Sequence, residues 1–285
     1  MKAKRNLIIF IIVTLASGWL GVLLDMVLTD QPKGNTLGMG LWLVAPFLAA
    51  LLLRLFSRDW KDIGIKPNLK GNIKWYLLSL AIYPAVTVFT VGFAAILGAA
   101  DISGSDANIL LPLIAASFAV GLIKNIFEEF AWRGYLTPKL IALKLNDWWI
   151  HLISGLVWAL FHVAHYLFFL PDSYFVTVSR VALTFIAILI MLCWNVMFVE
   201  LYRLTKSVWP GVLMHAAEDA VPTLLVYQGG LIFTKAGDIL FNPTSGIIAT
   251  VLFVGTGLIL RAVRINRDID DIDIVQGHNT ETGKE

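Results

Sequence analysis

Two adjacent acidic residues followed by an arginine interrupt a long apolar stretch of the chain. Glu128 and Glu129 come directly after the apolar segment 109–127, and Arg133 follows Glu129 by four residues. This spacing, with the acid N-terminal to the base, favours an ion pair on one helix face. Glu128 projects about 100° away around the helix and has no evident local partner. The pattern therefore predicts a structural carboxylate at Glu129 and a carboxylate available as a general base at Glu128.

Two further clusters of ionisable residues lie inside apolar segments. His162 and His165 are three residues apart and share a helix face, and Phe161 is placed to pack on the His165 ring one turn later. His215 and Asp219 are one turn apart, so the carboxylate is placed to orient the imidazole. Ionisable groups at membrane depth are costly and mark functional sites by default. A dry site with so many acids must share protons, bind a cation or admit water, and each outcome is compatible with hydrolysis.

The composition predicts that these clusters are carried by membrane-spanning helices. Of the 285 residues, 58% are hydrophobic and 15% are charged, whereas roughly 25% of the residues of a soluble domain are charged. A bilayer core of about 30 Å requires about 20 apolar helical residues. Eight such stretches predict an all-α polytopic bundle of about eight transmembrane helices: 7–28, 37–53, 75–99, 109–127, 148–170, 181–201, 208–226 and 246–260.

The distribution of lysine and arginine predicts the orientation of the bundle. The segments on the N-terminal side of the predicted membrane carry eighteen of these residues, and the opposite segments carry only Lys33, Arg180 and Lys235. Because cytosolic loops are enriched in positive charge, both termini are expected in the cytosol. We expect one transmembrane domain, 1–263, with the motifs between about 115 and 226, and a polar cytosolic tail, 264–285. The short loops and the basic N-terminal anchor favour a bacterial plasma membrane.

Other classes of protein and site are disfavoured by composition. A formal net charge of +2 gives no footprint for binding nucleic acid. The single cysteine, Cys193, excludes an internal disulfide, a cysteine-based zinc site and an iron–sulfur cluster. The His-Glu-x-x-His helix of common zinc proteases is also missing.

The three clusters, in this order and each in or beside a hydrophobic span, resemble the motifs of the CPBP family. This family contains the CAAX-type prenyl proteases and the bacterial bacteriocin-processing or abortive-infection proteins, described as intramembrane glutamic proteases or metalloproteases. The resemblance extends over about residues 115–226. Family members commonly have Asn at the last motif position, where this chain has Asp219.

The resemblance implies an intramembrane endopeptidase that cleaves a peptide or membrane-protein substrate at the bilayer, near the cytosolic face. By position, Glu128 would activate water and His165 would help to hold it. His215 and Asp219 would stabilise the tetrahedral oxyanion, although an ionised Asp cannot donate a hydrogen bond. Glu129 and Arg133 would be a supporting pair, Phe161 would support the site by packing on His165, and the role of His162 is open.

Three alternatives stay open at this stage. No cofactor is required, but Glu128, His165 and His215 are legitimate zinc ligands, so a zinc-dependent form of the same protease is a chemical rival. The departure at Asp219 is also compatible with a catalytically inert membrane partner, such as an immunity factor or chaperone. Buried acids and histidines can also relay protons in a transporter.

Overall fold

The protein is a bundle of long helices in the computed structural model. The structure describes residues 2–32, 35–175 and 178–281, with side chains as far as residue 267 apart from that of Ser173. Lys33, Lys284 and the end of the predicted tail, 282–285, therefore lie outside the described residues. The helices are α1 (Lys2–Val27), α2 (Leu37–Ser57), α3 (Ile73–Ile96), α4 (Ala107–Ala131), α5 (Thr137–Ala142), α6 (Asp147–Phe161), α7 (Arg180–Thr205), α8 (Trp209–Glu218), α9 (Leu224–Gln228), α10 (Lys235–Phe241) and α11 (Ile247–Glu281).

The predicted all-α membrane bundle is confirmed. Within the described residues, seven helical segments are long and apolar enough to cross a bilayer. These segments correspond to seven of the eight predicted spans. The remaining span, 208–226, is also helical through α8 and α9, but Glu218 and Asp219 interrupt its apolar sequence. The only strands in the described part are β1 (Ala100–Asp101) and β2 (Ile232–Phe233), which form a two-residue antiparallel pair.

The helix α8–α9 nevertheless runs from one end of the bundle to the other. At its start, the Trp209 indole donates to the carbonyl of Ile65 at 2.7 Å, in the loop between α2 and α3. At its far end, the Gly229 carbonyl accepts a hydrogen bond from Ser105 at 2.7 Å, in the loop between α3 and α4. These two loops lie at opposite ends of α3. Within the described residues, α8–α9 is thus a further helical passage along the bundle, in addition to the seven apolar segments.

The fourth span is longer than the apolar pattern predicted. The expected span ended at residue 127, but helical structure continues from Ala107 to Ala142. The acidic pair consequently lies inside a helix and not at its cytosolic end. Arg54, at the end of α2, donates from Nε to the carbonyl of Gly134 at 3.0 Å. The acidic pair precedes Gly134 by less than two helical turns, so it lies near the end of α2.

Three turns of widened helix adjoin the three clusters of ionisable residues. These π-helical turns are Trp132–Leu136, His165–Phe169 and Asp219–Thr223. Such turns appear mostly as single insertions within α-helices and are frequent at functional sites. Three large buried aromatic side chains, those of Trp132, Trp158 and Phe161, belong to the same part of the core. The site is therefore built into the packed centre of the bundle.

Candidate active site

The carboxylate of Glu128 lies in the interior of the bundle and is 1% exposed. Its Oε2 atom accepts hydrogen bonds from the indole nitrogens of Trp132 and Trp158, both at 3.3 Å. The ammonium of Lys124 lies 4.0 Å from Oε1. The expectation that Glu128 has no local partner is wrong, because Lys124 and Trp132 lie one turn before and one turn after it. Within the described residues, Oε1 itself accepts no hydrogen bond.

The predicted ion pair between Glu129 and Arg133 is confirmed. Arg133 Nη1 donates to Glu129 Oε1 at 3.0 Å, and both side chains are essentially inaccessible to solvent. Arg133 Nη2 also donates to Asn195 on α7 at 3.3 Å, and its guanidinium lies 4.3 Å from the ring centroid of Phe198. A buried charge pair of this kind is costly to break, because either partner alone would be an uncompensated charge.

Glu129 also orients His215. The Nδ1 atom of His215 lies 3.0 Å from the same Oε1 atom that accepts from Arg133. An ionised carboxylate can only accept, so Nδ1–H is the donor and the neutral ring has its lone pair on Nε2. The expectation that Asp219 orients this imidazole is wrong. His215 can donate from Nε2 to an oxyanion only as an imidazolium, for which Glu129 is the counter-ion.

His162 is the histidine that approaches Glu128. Its Nε2 atom lies 3.7 Å from Glu128 Oε2, which is too long for a direct hydrogen bond. Its Nδ1 atom lies 2.9 Å from the carbonyl of Trp158, so Nδ1 is the donor and Nε2 faces the carboxylate. The ring of His215 also lies near Trp158, with 5.6 Å between centroids. The structure thus brings Glu128, His162 and His215 around one indole.

His165 is held by a tryptophan that the sequence did not single out. The Trp42 indole, from α2, stacks on the His165 ring with 4.3 Å between centroids and on the Phe161 ring at 4.7 Å. The expected packing of Phe161 on His165 is therefore wrong, because the indole stacks on both rings. The His165 ring lies 6.1 Å from that of His162. Within the described residues, buried His165 Nδ1 has no hydrogen-bond partner.

Asp219 is bound to α4 and not to a histidine. Lys124 Nζ donates to Oδ1 at 3.0 Å, and Asn125 Nδ2 donates to Oδ2 at 2.7 Å. Close helix contact permits this geometry, because a Cβ on Gly121 would lie 3.3 Å from the Ala216 backbone. The carboxylate at this position is thus an acceptor with its donors already supplied.

A cavity of about 360 Å³ lies beside these groups. The acidic and basic side chains in its wall are Lys124, His162, His165, His215, Glu218 and Asp219. Glu128 does not line the cavity directly and lies behind Trp158 and His162, which do. The cavity extends towards Leu170 and Thr244, in loops that the charge pattern assigns to the side opposite the termini.

The residues predicted as zinc ligands do not form a compact set. Among the described side chains, the group whose potential ligand atoms lie within 4.8 Å of one another is His215, Glu218 and Asp219. Glu128 and His165 are not part of it. The carboxylate of Asp219 in this group is already paired with the Lys124 ammonium at 3.0 Å. The donor types would suit zinc, but a metal would have to displace this cation or leave it beside a second positive charge.

Several residues of the site were missed at the level of sequence. The contact of Lys124 with Glu128 could have been predicted from the sequence, since Lys124 precedes Glu128 by four residues on one helix face. Trp42 and Asn125 had no such signal, because an aromatic or amide residue in an apolar helix is most simply read as packing. Glu218, which directly precedes Asp219 in the chain, was given no role, yet it lines the cavity and accepts a hydrogen bond from Thr223 at 2.7 Å.

Comparison with known proteins agrees with the motifs. The family model that matches is described as Type II CAAX prenyl endopeptidase Rce1-like, and it covers residues 109–221. No curated protein matches the chain. The matched segment contains all three clusters and the helices that bring them together. Residues 109–221 of this integral membrane protein are therefore similar to the Rce1-like type II CAAX prenyl endopeptidases, the resemblance that the motifs predicted.

Proposed function

We propose that the protein is an intramembrane endopeptidase in which Glu128 activates water for direct attack on a peptide bond. The observation that carries the proposal is the Glu128 carboxylate, which is buried among indole and imidazole groups and whose Oε1 accepts no hydrogen bond in the described part of the chain. A buried carboxylate oxygen of this kind requires water or a cation. The Rce1-like match supports the same class of reaction.

In the proposed reaction, a water molecule binds at Glu128 Oε1, the oxygen that accepts no hydrogen bond within the described residues. Glu128 takes a proton from the water as the oxygen attacks the scissile carbonyl carbon. The carbonyl π electrons move onto oxygen, and a protonated His215, paired with Glu129, donates to the resulting oxyanion. The intermediate then collapses, the C–N bond breaks, and the amine leaves with the proton from Glu128. His165, stacked on Trp42, would shape the wall against which the peptide lies.

The proposed substrate is a peptide or membrane protein whose cleavage site reaches the cytosolic half of the bilayer. The hydrogen bond from Arg54 to the Gly134 carbonyl supports this position, because the charge pattern predicts that this end of α2 faces the cytosol. A prenylated C-terminal tail is the first substrate to examine, given the description of the matching family. The apolar part of the cavity wall, which includes Met39, Met191 and Trp194, would accommodate an apolar group.

The decisive experiment compares Glu128→Gln with the wild-type protein. We expect a set of peptide termini in wild-type membranes to disappear with Glu128→Gln, as measured by mass spectrometry. In proteoliposomes, cleavage of an internally quenched peptide with a farnesylated CAAX tail should fall at least 100-fold, the lower range for a general base. Asp30→Asn, an exposed carboxylate, is the matched control. Identical profiles for Glu128→Gln and wild type would instead favour the inert membrane partner.

A zinc-dependent form of the reaction rests on the proximity of His215, Glu218 and Asp219. Zinc would polarise the carbonyl or lower the pKa of a bound water. Metal analysis of the purified protein, together with cleavage in the presence of a chelator, tests this form. Retention of cleavage by metal-free protein would exclude it.

A further inference from the structure

We propose that Lys124 is a catalytic residue that donates a hydrogen bond to the tetrahedral oxyanion, and that Asp219 positions it. The inference rests on the proposed endopeptidase function and assigns a role to a residue outside the three motifs. It replaces the expectation that residue 219 itself stabilises the oxyanion.

The first argument is the position of the Lys124 ammonium. It lies 4.0 Å from Glu128 Oε1 and 3.0 Å from Asp219, so it bridges the proposed base and the last motif residue. Its side chain is 32% exposed and contributes to the wall of the cavity. A water activated at Glu128 Oε1 and the carbonyl that it attacks would therefore both lie within reach of a positive charge.

The second argument is that Asp219 cannot supply the donor. Both of its oxygens already accept hydrogen bonds, one from Lys124 and one from Asn125. An ionised carboxylate has no proton to donate. An ammonium has three donors, and the contact with the two oxygens of Asp219 uses at most two of them, so at least one donor remains available to a substrate. Lys124 thus supplies the hydrogen-bond donor to the oxyanion that the motif leads one to expect from residue 219.

The third argument is geometric. The Lys124–Asp219 contact joins α4 to the start of the π-helical turn Asp219–Thr223, and Asn125 fixes the carboxylate from the same helix. A donor held in place before the reaction begins stabilises developing charge without reorganisation. In the reaction, the π electrons of the scissile carbonyl move onto its oxygen, and Lys124 donates to that oxygen without transferring its proton.

The competing explanation is that Lys124 only neutralises Asp219. The two explanations predict different results for Lys124→Met combined with Asp219→Ala, which removes both charges. If Lys124 acts as the donor, the double variant stays as inactive as Lys124→Met. If it acts only as a counter-ion, the double variant recovers activity.

The experiment measures kcat and KM in proteoliposomes. The probe is the quenched farnesylated peptide or, where that peptide shows no Glu128-dependent cleavage, a quenched peptide copied from a Glu128-dependent terminus. For Lys124→Met we expect kcat to fall about 100-fold or more, the usual loss for one oxyanion donor, with KM changed less than about threefold. Lys124→Arg should retain more than about a tenth of kcat, since it keeps a charged donor. Lys139→Met, which removes a paired lysine outside the cavity, is the control.

The outcomes separate this inference from the function on which it rests. Wild-type kcat in the Lys124→Met and Asp219→Ala double variant, with cleavage still dependent on Glu128, would overturn the role of Lys124 alone. Absence of any Glu128-dependent cleavage would overturn both proposals. A thermal unfolding measurement in detergent shows whether a variant that has lost kcat is still folded. If Lys124→Met is unfolded, Lys124→Arg decides, because a folded Lys124→Arg protein without measurable cleavage contradicts the inference.

Discussion

A substitution at Gly211 tests whether the hydrogen bond from His215 to Glu129 is needed for activity, and it leaves both of these residues in place. A Cβ added to Gly211 would lie 2.6 Å from Glu129 Oε2 and 3.3 Å from its Cδ. Ordinary contact begins at 3.4 Å, so the carboxylate would have to move by about 0.8 Å. It cannot move freely, because its other oxygen is held by Arg133 and His215, both at 3.0 Å. Gly211→Ala should therefore stretch or break one of these hydrogen bonds.

The expected cost follows from what those hydrogen bonds do. Overpacking of a core typically costs about 1–3 kcal/mol of stability. Loss of a hydrogen bond to a charged group is worth about 1.5–3 kcal/mol. Where that loss falls on His215, kcat/KM should fall about 10- to 100-fold, because the imidazole loses both its tautomer preference and its counter-ion.

The assay combines thermal unfolding in detergent with cleavage of the quenched peptide. Gly92→Ala is the matched control, because a Cβ on this helical glycine meets no atom within 4 Å. Alanine at an open helical position should be neutral or stabilising by up to about 1 kcal/mol. If Gly211→Ala behaves like Gly92→Ala in both measurements, the close packing of α8 on Glu129 does not hold His215 in place. The proposal that Glu129 orients His215 for catalysis is then wrong.

Two further predictions concern Trp42 and the loop between α2 and α3. Trp42→Phe should leave the protein folded and lower kcat severalfold, because a smaller ring stacks less well on His165; unchanged kinetics would remove His165 from the working site. Burial alone would raise the pKa of Asp62, but hydrogen bonds from Lys139 and Arg54 outweigh it and hold the pKa below the ordinary 3.8. The stabilisation by the ionised Asp62 is therefore complete above pH 3.8 and lost as the pH falls through the folded-state pKa. The difference in melting temperature between wild type and Asp62→Asn should be present at neutral pH and shrink under acid; a difference independent of pH would contradict the assignment.

Local spacing allowed part of the site to be predicted from the sequence. The pair Glu129–Arg133 is four residues apart on a helix, so its contact needs no tertiary information. The approach of His162 to Glu128 depends on how α6 packs against α4, and no local pattern encodes it. The same holds for Trp42, which reaches His165 from a helix more than a hundred residues away in the chain.

The misplaced end of the fourth span has a physical cause. A span predicted from hydropathy ends where charged residues follow the apolar residues, and Glu128 is the first charged residue after the segment 109–127. Helix continuation depends instead on whether the charges find partners, and Arg133 supplies one within a turn. An apolar run thus underestimates the length of a helix wherever its ionisable residues pair internally.

The electrostatic balance of the site limits which mechanisms are physically reasonable. Glu128, Glu129, Glu218 and Asp219 carry four carboxylates, and Lys124 and Arg133 carry two cations, so the formal charge is −2 with neutral imidazoles. Glu129 is neutralised by Arg133, and Asp219 by Lys124. Two carboxylates remain. Glu128 lies beside His162, and Glu218 lies in the cavity wall. A cluster arranged in this way can add a proton during each turnover, because protonation of Glu128 moves the site towards neutrality instead of away from it. That is the electrostatic requirement for a carboxylate that takes a proton from water in one step and returns it to the leaving amine in the next.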